Sequence, residues 1–149
     1  MKALIVYDSV YGNTERIARA MAEAIAPSGE GKALRAGEAN LSELESLDLL
    51  IVGSPTHGGR PTAAVQDFLN KVPKLQDINV AAFDTRITTK FVKVFGYAAG
   101  RIANNLKKKG GILIASPEGF FVTGGQGPLK EGELERAAAW AKGILESKK

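Results

Sequence analysis

The chain has 149 residues, of which 44% are hydrophobic and 24% are charged, and this composition is typical of one globular domain with a proper core. It contains no cysteine and one histidine, so disulfides, thiolate metal sites and cysteine nucleophiles are excluded, and no metal centre is predicted. The net charge is +4, but the basic runs at 107–109 and 148–149 come without an aromatic or helix-turn-helix pattern, and we expect no nucleic-acid partner.

The sequence predicts neither membrane insertion nor export. Its apolar runs are about as long as a strand, well short of the roughly 20 residues of a membrane helix. The amino terminus carries one lysine and continues directly into an apolar run, so no signal peptide is visible. We therefore expect a cytoplasmic protein that does not bind membranes.

The first half of the chain alternates strands with amphipathic segments. Lys2–Tyr7 is an apolar run that predicts a buried strand, and apolar residues at helical spacing predict a helix over Asn13–Ile25. Lys32–Arg35 is a weaker strand, and Asn40–Glu43 has the pattern of a capped short helix. Asp48–Gly53 is apolar on both faces, as central strands of parallel sheets tend to be.

The second half continues the alternation. A helix with Val65, Phe68, Leu69 and Val72 on one face is followed by a fourth strand at Asn79–Phe83 and a helix over Tyr97–Lys109. A fifth strand is predicted at Gly111–Ala115, and Glu118–Val122 extends it past an irregularity at Pro117. The last helix is predicted over Glu133–Ser147. Phe120, Phe121 and Trp140 are interpreted as packing residues. The whole chain is predicted to be one domain.

Five strands that alternate with helices predict an α/β fold, a three-layer sandwich around a doubly wound parallel sheet. Ligands of such sheets bind beyond the carboxyl ends of the strands, where the strand order switches. The loops Ser9–Thr14, Ser54–Thr62 and Asp84–Gly96 leave strand ends of this kind. Each contains more Gly, Ser, Thr or Asp than a short connection needs, so we expect them to form a binding site.

The first of these loops has the chemistry of an anion site. It lies at the predicted start of a helix, where the first backbone amides have no acceptor and the helix dipole favours negative charge. Ser9 and Thr14 offer hydroxyl groups, and Gly12 lets the backbone turn closely. Because no Lys or Arg lies in the loop, the pattern indicates a single phosphate held by neutral donors. The alternative is a helix start that is capped and binds nothing.

This loop resembles the phosphate loop of flavodoxins, in which hydroxyl residues and a glycine surround the phosphate of FMN. The resemblance covers almost the whole chain and implies a sheet of order 2-1-3-4-5. Tyr11 stands where electron-transfer flavodoxins usually have threonine, and in this it is similar to the flavodoxin-like quinone oxidoreductases. By resemblance, the loop residues that hold FMN are Ser9, Val10, Tyr11, Gly12, Asn13 and Thr14.

The second loop resembles the segment that passes beside the flavin ring in this superfamily. The resemblance places Pro55, Thr56, His57, Gly58 and Gly59 at the ring. The histidine occupies the place of a frequent tryptophan. It either stacks on the ring or donates to it, and the alternative is an exposed loop residue. The two glycines lie by resemblance near flavin N5, where a peptide turns over on reduction; the alternative is a plain Gly-Gly turn. Arg60 contacts an anionic reduced flavin or a substrate, or it is a surface residue.

The third loop departs most from the flavodoxin pattern. Asp84, Thr85 and Arg86 match the segment that contacts the pyrimidine edge of the ring, but no tyrosine follows to cover the outer ring face. An uncovered face leaves room for a substrate such as a quinone. The alternative for Asp84 is a residue that caps its own loop.

Three functions remain open from the sequence. The first is an FMN-binding electron carrier with a redox partner protein, since no acid–base pair or nucleophile is visible and the redox chemistry belongs to the flavin. The second is an NAD(P)H:quinone oxidoreductase, and the third is a flavodoxin-fold module that has lost its flavin. A monomer or a small homo-oligomer fits each of them.

Overall fold

The computed structural model describes residues 2–57, 59–87, 97–124 and 126–147. The helices and strands, in chain order, are β1 Lys2–Tyr7, α1 Asn13–Ile25, β2 Glu30–Arg35, β3 Leu49–Pro55, α2 Ala63–Lys71, β4 Asn79–Ile87, α3 Ala98–Lys108, β5 Ile112–Leu113, β6 Glu118–Val122 and α4 Glu133–Ser147. Short 3₁₀ turns lie at Ala26–Ser28, Ala36–Glu38 and Leu41–Leu44. The predicted alternation of strands and helices is therefore confirmed.

The strands form one parallel sheet in the order β2-β1-β3-β4-β5, as predicted. The fifth position of the sheet is shared by β5 and β6, which both pair with β4. Asn79 pairs with Ile112 and Phe83 with Glu118, so the offset grows from 33 to 35 and two extra residues are accommodated between the two segments. The predicted extension past Pro117 is thus correct, and the interruption is a local bulge in an edge strand.

Two apolar cores lie on opposite faces of the sheet and produce the three predicted layers. One face packs against α2 and α3 through residues such as Phe68 and Ile102. The other face packs against α1 and α4 through residues such as Ile17 and Ala141. Successive residues of β1, β3 and β4 alternate between the two cores, so nearly every side chain of these strands is buried.

Three aromatic rings lie at the edge of the α1–α4 core. Phe83, Phe120 and Trp140 make mutual edge-to-face contacts, with centroids 6.0–6.4 Å apart. Phe121 is half-buried on β6, and the guanidinium carbon of Arg136 lies 5.8 Å from the centroid of its ring. The interpretation of the aromatic residues as packing residues is confirmed.

Two predicted strand ends are wrong, because polar residues continue both strands. β3 runs to Pro55 rather than Gly53, and β4 runs to Ile87 rather than Phe83. Ser54 and Asp84 are wholly buried, which a loop assignment does not anticipate. A buried polar side chain is tolerated when it has a hydrogen-bond partner, and other elements supply the partners here. The second strand also begins two residues earlier than predicted, at Glu30.

The helix ends follow the predicted signals. α3 ends in a Schellman motif: the amide of Gly110 donates to Lys107 O and that of Gly111 to Leu106 O. Gly110 has φ +98°, a conformation that favours glycine. Asn40 caps the 3₁₀ turn at Leu41–Leu44 by accepting from the amide of Ser42. None of the described helices has the length and hydrophobicity needed to span a lipid bilayer.

Candidate functional site

The three predicted loops meet at one cleft at the carboxyl ends of β1, β3 and β4. The cleft has a volume of about 140 Å³. Its lining consists of Ser9, Val10, Tyr11, Asn13 and Thr14 from the first loop, Pro55, Thr56 and His57 from the second, Thr85, Arg86 and Ile87 from the end of β4, and Val122 from β6. No carboxylate is present among these described lining residues, so nothing in the lining repels an anion.

The first loop presents the start of α1 to the cleft. Gly12 is the N-cap residue, with φ +90°, and its amide donates to Ser9 Oγ at 3.0 Å. Glycine has no side chain to accept from the first helical turn, and within the described part of the chain no other side chain caps it. The amides of the first turn therefore remain available to a ligand, together with the positive end of the helix dipole. These donors fit a phosphate.

Thr14 connects the first loop to β4. Its side chain is almost fully buried, and its hydroxyl lies 2.8 Å from the hydroxyl of Thr85. One hydroxyl of such a pair donates and the other accepts, so one of the two protons remains free for another acceptor. The predicted phosphate loop and the predicted ring segment are thus joined by a direct hydrogen bond.

Arg35, at the end of β2, holds the first loop in place through hydrogen bonds and ion pairs. No sequence pattern identified this residue. Its Nη1 donates to Ser9 O at 3.1 Å and lies 3.6 Å from an oxygen of Asp8. Its Nη2 donates to Glu15 at 3.0 Å. The charge of the arginine is therefore already shared between two carboxylates, which leaves the loop itself with neutral donors, as the sequence indicated.

Ionic contacts also organise the outer face of α1. Glu15 accepts from Arg19 one turn further along the helix, and this hydrogen bond lowers the pKa of Glu15. Asn13 reaches in the other direction, and its Nδ2 donates to Gln126 O at 3.2 Å. The loop that follows β6 thus holds the start of α1, a contact that only the folded chain reveals.

The second loop is hydrogen-bonded to the amino-terminal ends of two helices. Ser54 Oγ accepts from the amide of Thr62 at the start of α2, and Thr56 Oγ1 accepts from the amide of Ala98 at the start of α3. His57 and Arg60 exchange two backbone hydrogen bonds across a tight turn in which Gly59 has φ +79°. The turn geometry explains the need for glycine at position 59.

His57 is exposed at the cleft, whereas Arg60 points elsewhere and lines a neighbouring cavity. Gly59 is buried and does not line the cleft, and its carbonyl accepts from Arg101 Nε at 2.8 Å. Gly12 is not among the lining residues either. Gly58 lies outside the described residues, as does most of the predicted connection, at 88–96.

Asp84 is buried away from the cleft, on the side of the sheet that packs against α2 and α3. It forms a two-pronged ion pair with Arg86, with contacts of 2.6 and 2.7 Å, and accepts from the amide of Ala99. It thus caps α3 rather than its own loop. Burial raises the pKa of Asp84, and its hydrogen bonds to Arg86, Ala99 and Thr56 counteract that effect.

The guanidinium of Arg86 is enclosed between a ring and a backbone. It lies over the ring of Tyr97 at 3.3 Å from the centroid, and its other face packs against Gly119. A side chain at position 119 would collide with it. The ion pair, the ring and the glycine fix the end of β4, and this arrangement leaves Thr85 as the side chain that joins β4 to the first loop.

The described residues contain no group of acidic and histidine side chains that could hold a metal ion. The sequence predicts an organic cofactor, and the residues of the cleft can be compared with the groups of FMN. Uncapped helix amides, a free hydroxyl proton and a lining without carboxylates match the phosphate of FMN, and the rim of Pro55, Thr56 and His57 matches the edge of a flat ring.

A family model described as a flavodoxin domain matches residues 4–126 of the chain. The chain belongs to the flavodoxin domain family. Its fold is similar to that of a flavodoxin from the domain Archaea, with a TM-score of 0.82 and 21% identity over 100% of both chains. Flavodoxin 2 from Bacillus cereus matches with a TM-score of 0.80 and 25% identity, over 98% of this chain and 99% of its own.

A third similar structure is the flavodoxin, WrbA-like protein from Agrobacterium tumefaciens. It matches with a TM-score of 0.75 and 22% identity, over 99% of this chain and 97% of its own. These matches and the strand order of the sheet confirm the predicted flavodoxin-like fold. They also confirm the predicted membership of the chain in the flavodoxin-like superfamily.

Proposed function

We propose that the protein binds FMN in the cleft at the carboxyl ends of β1, β3 and β4 and acts as an electron carrier. The observation that carries this proposal is the meeting of the three predicted loops around one cleft that no carboxylate lines in the described part of the chain. The bound flavin would supply the redox chemistry, and the protein would bind and orient it.

The start of α1 would hold the phosphate. The amides of Asn13, Thr14 and Glu15 belong to the uncapped first turn of the helix, and the Thr14–Thr85 hydroxyl pair has a proton to spare. Arg35 would act indirectly, since it positions Ser9 through its backbone oxygen. One short loop of this kind suits one phosphate, which favours FMN over the dinucleotides FAD and NAD.

The second loop would border the ring. Thr56 is held by its hydrogen bond to α3 and His57 is exposed at the rim, so the loop presents a buttressed threonine and an exposed imidazole to the ring. Asp84 would act from outside the cleft by fixing Thr56 and the end of β4. Its carboxylate is bound to Arg86 and Ala99 and would not contact the cofactor.

The electron carrier is favoured over an enzyme with its own acid–base chemistry by the composition of the cleft. The side chains that line it are hydroxyl, amide and apolar groups, with His57, Tyr11 and the paired Arg86 as the titratable ones in the described lining. A redox partner protein would exchange electrons at the exposed rim. We propose that the protein is cytoplasmic.

A quinone reductase is the second candidate, and the exposure of two apolar side chains favours it. Val10 is 51% exposed and Tyr11 is 54% exposed, and both line the cleft. Apolar surface beside a redox cofactor suits a flat apolar substrate such as a quinone. Quinone-dependent oxidation of NADH or NADPH by the FMN-loaded protein, measured at 340 nm, would support this candidate, and its absence would leave the electron carrier.

The absorbance spectrum of the purified protein tests the proposal directly. We expect a flavin spectrum as purified or after addition of FMN, and mass spectrometry of the released cofactor should give FMN. Recovery of FAD would contradict the assignment of a single-phosphate site. If no flavin is retained after reconstitution, the third function, a flavodoxin-fold module without flavin, replaces the proposal.

A further inference from the structure

A second polar cavity lies beside the cleft, between α2 and α3. Its volume is about 230 Å³, and its polar lining consists of Arg60, Gln66, Asn70, Arg101 and Asn105. Gln66 and Asn70 lie four residues apart on α2, and Arg101 and Asn105 lie four residues apart on α3. That spacing places each pair on one helix face, so the two faces and the arginine of the turn converge on one groove.

The turn at 57–60 is attached to both helices that form the groove. Gln66 Nε2 donates to Pro61 O at 2.8 Å, and Arg101 Nε donates to Gly59 O at 2.8 Å. These bonds hold the groove together without use of the Nη groups of Arg101. Arg60 is exposed, and its backbone is fixed by its two hydrogen bonds with His57.

The groove is cationic. Arg60 and Arg101 have no ion pair with a described carboxylate, whereas Arg35, Arg86 and Arg136 each have at least one. Within the described residues, no Asp or Glu lines the groove. The nearest acid in sequence on α2, Asp67, lines a different cavity together with Lys71. Two guanidinium groups without counter-charges in a concave site attract an anion.

We propose that this groove binds the phosphate group of a small organic molecule. A guanidinium presents its N–H groups as a planar fork that matches phosphate oxygens, and the side-chain amides of Asn70 and Asn105 add neutral donors. The donors of the groove suit one or two phosphoryl groups, and the rest of the molecule would lie outside the groove.

The turn at 57–60 separates the groove from the cleft and borders both of them. His57 of the turn lines the cleft, and Gly59 of the turn contacts Arg101 of the groove. The phosphate therefore comes from one of two sources: the pyrophosphate of a nicotinamide dinucleotide whose ring extends toward the cleft, or a free organic phosphate that binds beside the turn. The inference does not depend on flavin binding, since none of the groove residues lines the cleft.

The test is a titration of pyrophosphate into isotope-labelled protein at constant ionic strength, followed by amide NMR. It is carried out with saturating FMN, which occupies the proposed phosphate loop, and repeated without FMN. We expect saturable shifts at Gly59, Gln66, Asn70 and Arg101 under both conditions. Arg60→Ala should weaken binding by about tenfold or more, since a hydrogen bond to a charged group is lost.

Lys142→Ala is the matched control, because it removes one positive charge from an exposed position on α4, away from the groove. It should change the affinity by less than about twofold. Arg101→Lys keeps the charge and loses the fork, and should weaken binding while the protein stays folded, as its NMR spectrum reports. Equal losses in Arg60→Ala and Lys142→Ala, or shifts confined to Asn13, Thr14 and Glu15, would overturn the proposal.

A competition arm distinguishes the two sources. Displacement of pyrophosphate by NADPH, with a weaker NADPH affinity in Arg60→Ala, assigns the groove to a dinucleotide. Pyrophosphate binding that NADPH does not displace assigns it to a free organic phosphate. Failure of flavin binding would leave the flavin-free titration intact, so failure of the proposed function and failure of this inference give different results.

Discussion

Thr14→Val separates a phosphate site from a helix cap. Valine keeps the branched shape of threonine and removes its hydroxyl. Thr14 is 1% exposed and its hydroxyl lies 2.8 Å from that of Thr85, so the substitution occurs in a packed site and changes two groups at once. It deletes a possible donor to the phosphate, and it leaves the Thr85 hydroxyl without its partner.

The two effects have different readouts. A hydrogen bond to a charged phosphate oxygen is worth roughly 1.5–3 kcal/mol, so the FMN affinity should fall by about one to two powers of ten. The unpartnered Thr85 hydroxyl should lower the free energy of unfolding by about 1–3 kcal/mol. That second loss acts on the stability of the folded state and not on ligand discrimination, so riboflavin, which has no phosphate, should bind almost as before.

The assay is a titration of FMN and of riboflavin, followed by quenching of flavin fluorescence, in the wild-type and variant proteins. Thr85→Val is the matched control, because it breaks the same hydroxyl pair from the β4 side and keeps Thr14. It should cost similar stability in a urea titration, with a smaller preferential loss of FMN. Equal losses of FMN and riboflavin in Thr14→Val would refute the assignment of this loop to the phosphate.

Three further predictions concern the framework of the site. Gly53→Ala should lower the free energy of unfolding by about 1–3 kcal/mol or more, because a Cβ there would collide with the ring of Phe83. The control Gly100→Ala has open space in α3 and should raise the free energy of unfolding by roughly 0.5–1 kcal/mol. Thermal unfolding of both variants checks this. Asp84→Asn should cost about 3–5 kcal/mol in a urea titration, because it leaves a mostly buried guanidinium without its charge partner; an unchanged midpoint would contradict the buried ion pair. Hydrogen bonding by Arg136 lowers the pKa of Glu133 below its ordinary value of 4.5. Glu133→Gln should therefore be less stable than wild type above that pH by about 1.5–3 kcal/mol. The difference in stability should vanish as the pH falls through the lowered pKa, and denaturation at a series of pH values would reveal this.

Local patterns in the sequence were sufficient for the elements and their order. The alternation of apolar runs with amphipathic segments predicts the parallel sheet, since strands buried on both faces read as continuous apolar runs. As predicted, Gly110 ends α3 and Asn40 caps the turn at Leu41–Leu44. Both signals can be read from the sequence because their hydrogen bonds involve residues close in the chain. The loops after β1 and β3 were found for the same reason, since a strand end followed by small polar residues is a local signal.

The tertiary structure alone decided the partners of the polar side chains. Arg35 reaches Ser9, Thr14 reaches Thr85, and Asp84 reaches the amide of Ala99, over separations of 26, 71 and 15 residues. Such contacts depend on which strand ends the crossovers place side by side, and no local pattern encodes that. The contacts of Thr85 and Asp84 explain why β4 extends beyond its predicted end, and in β3 the buried Ser54 accepts from the amide of Thr62 at the start of α2. A polar residue continues a buried strand when other elements satisfy its hydrogen bonds.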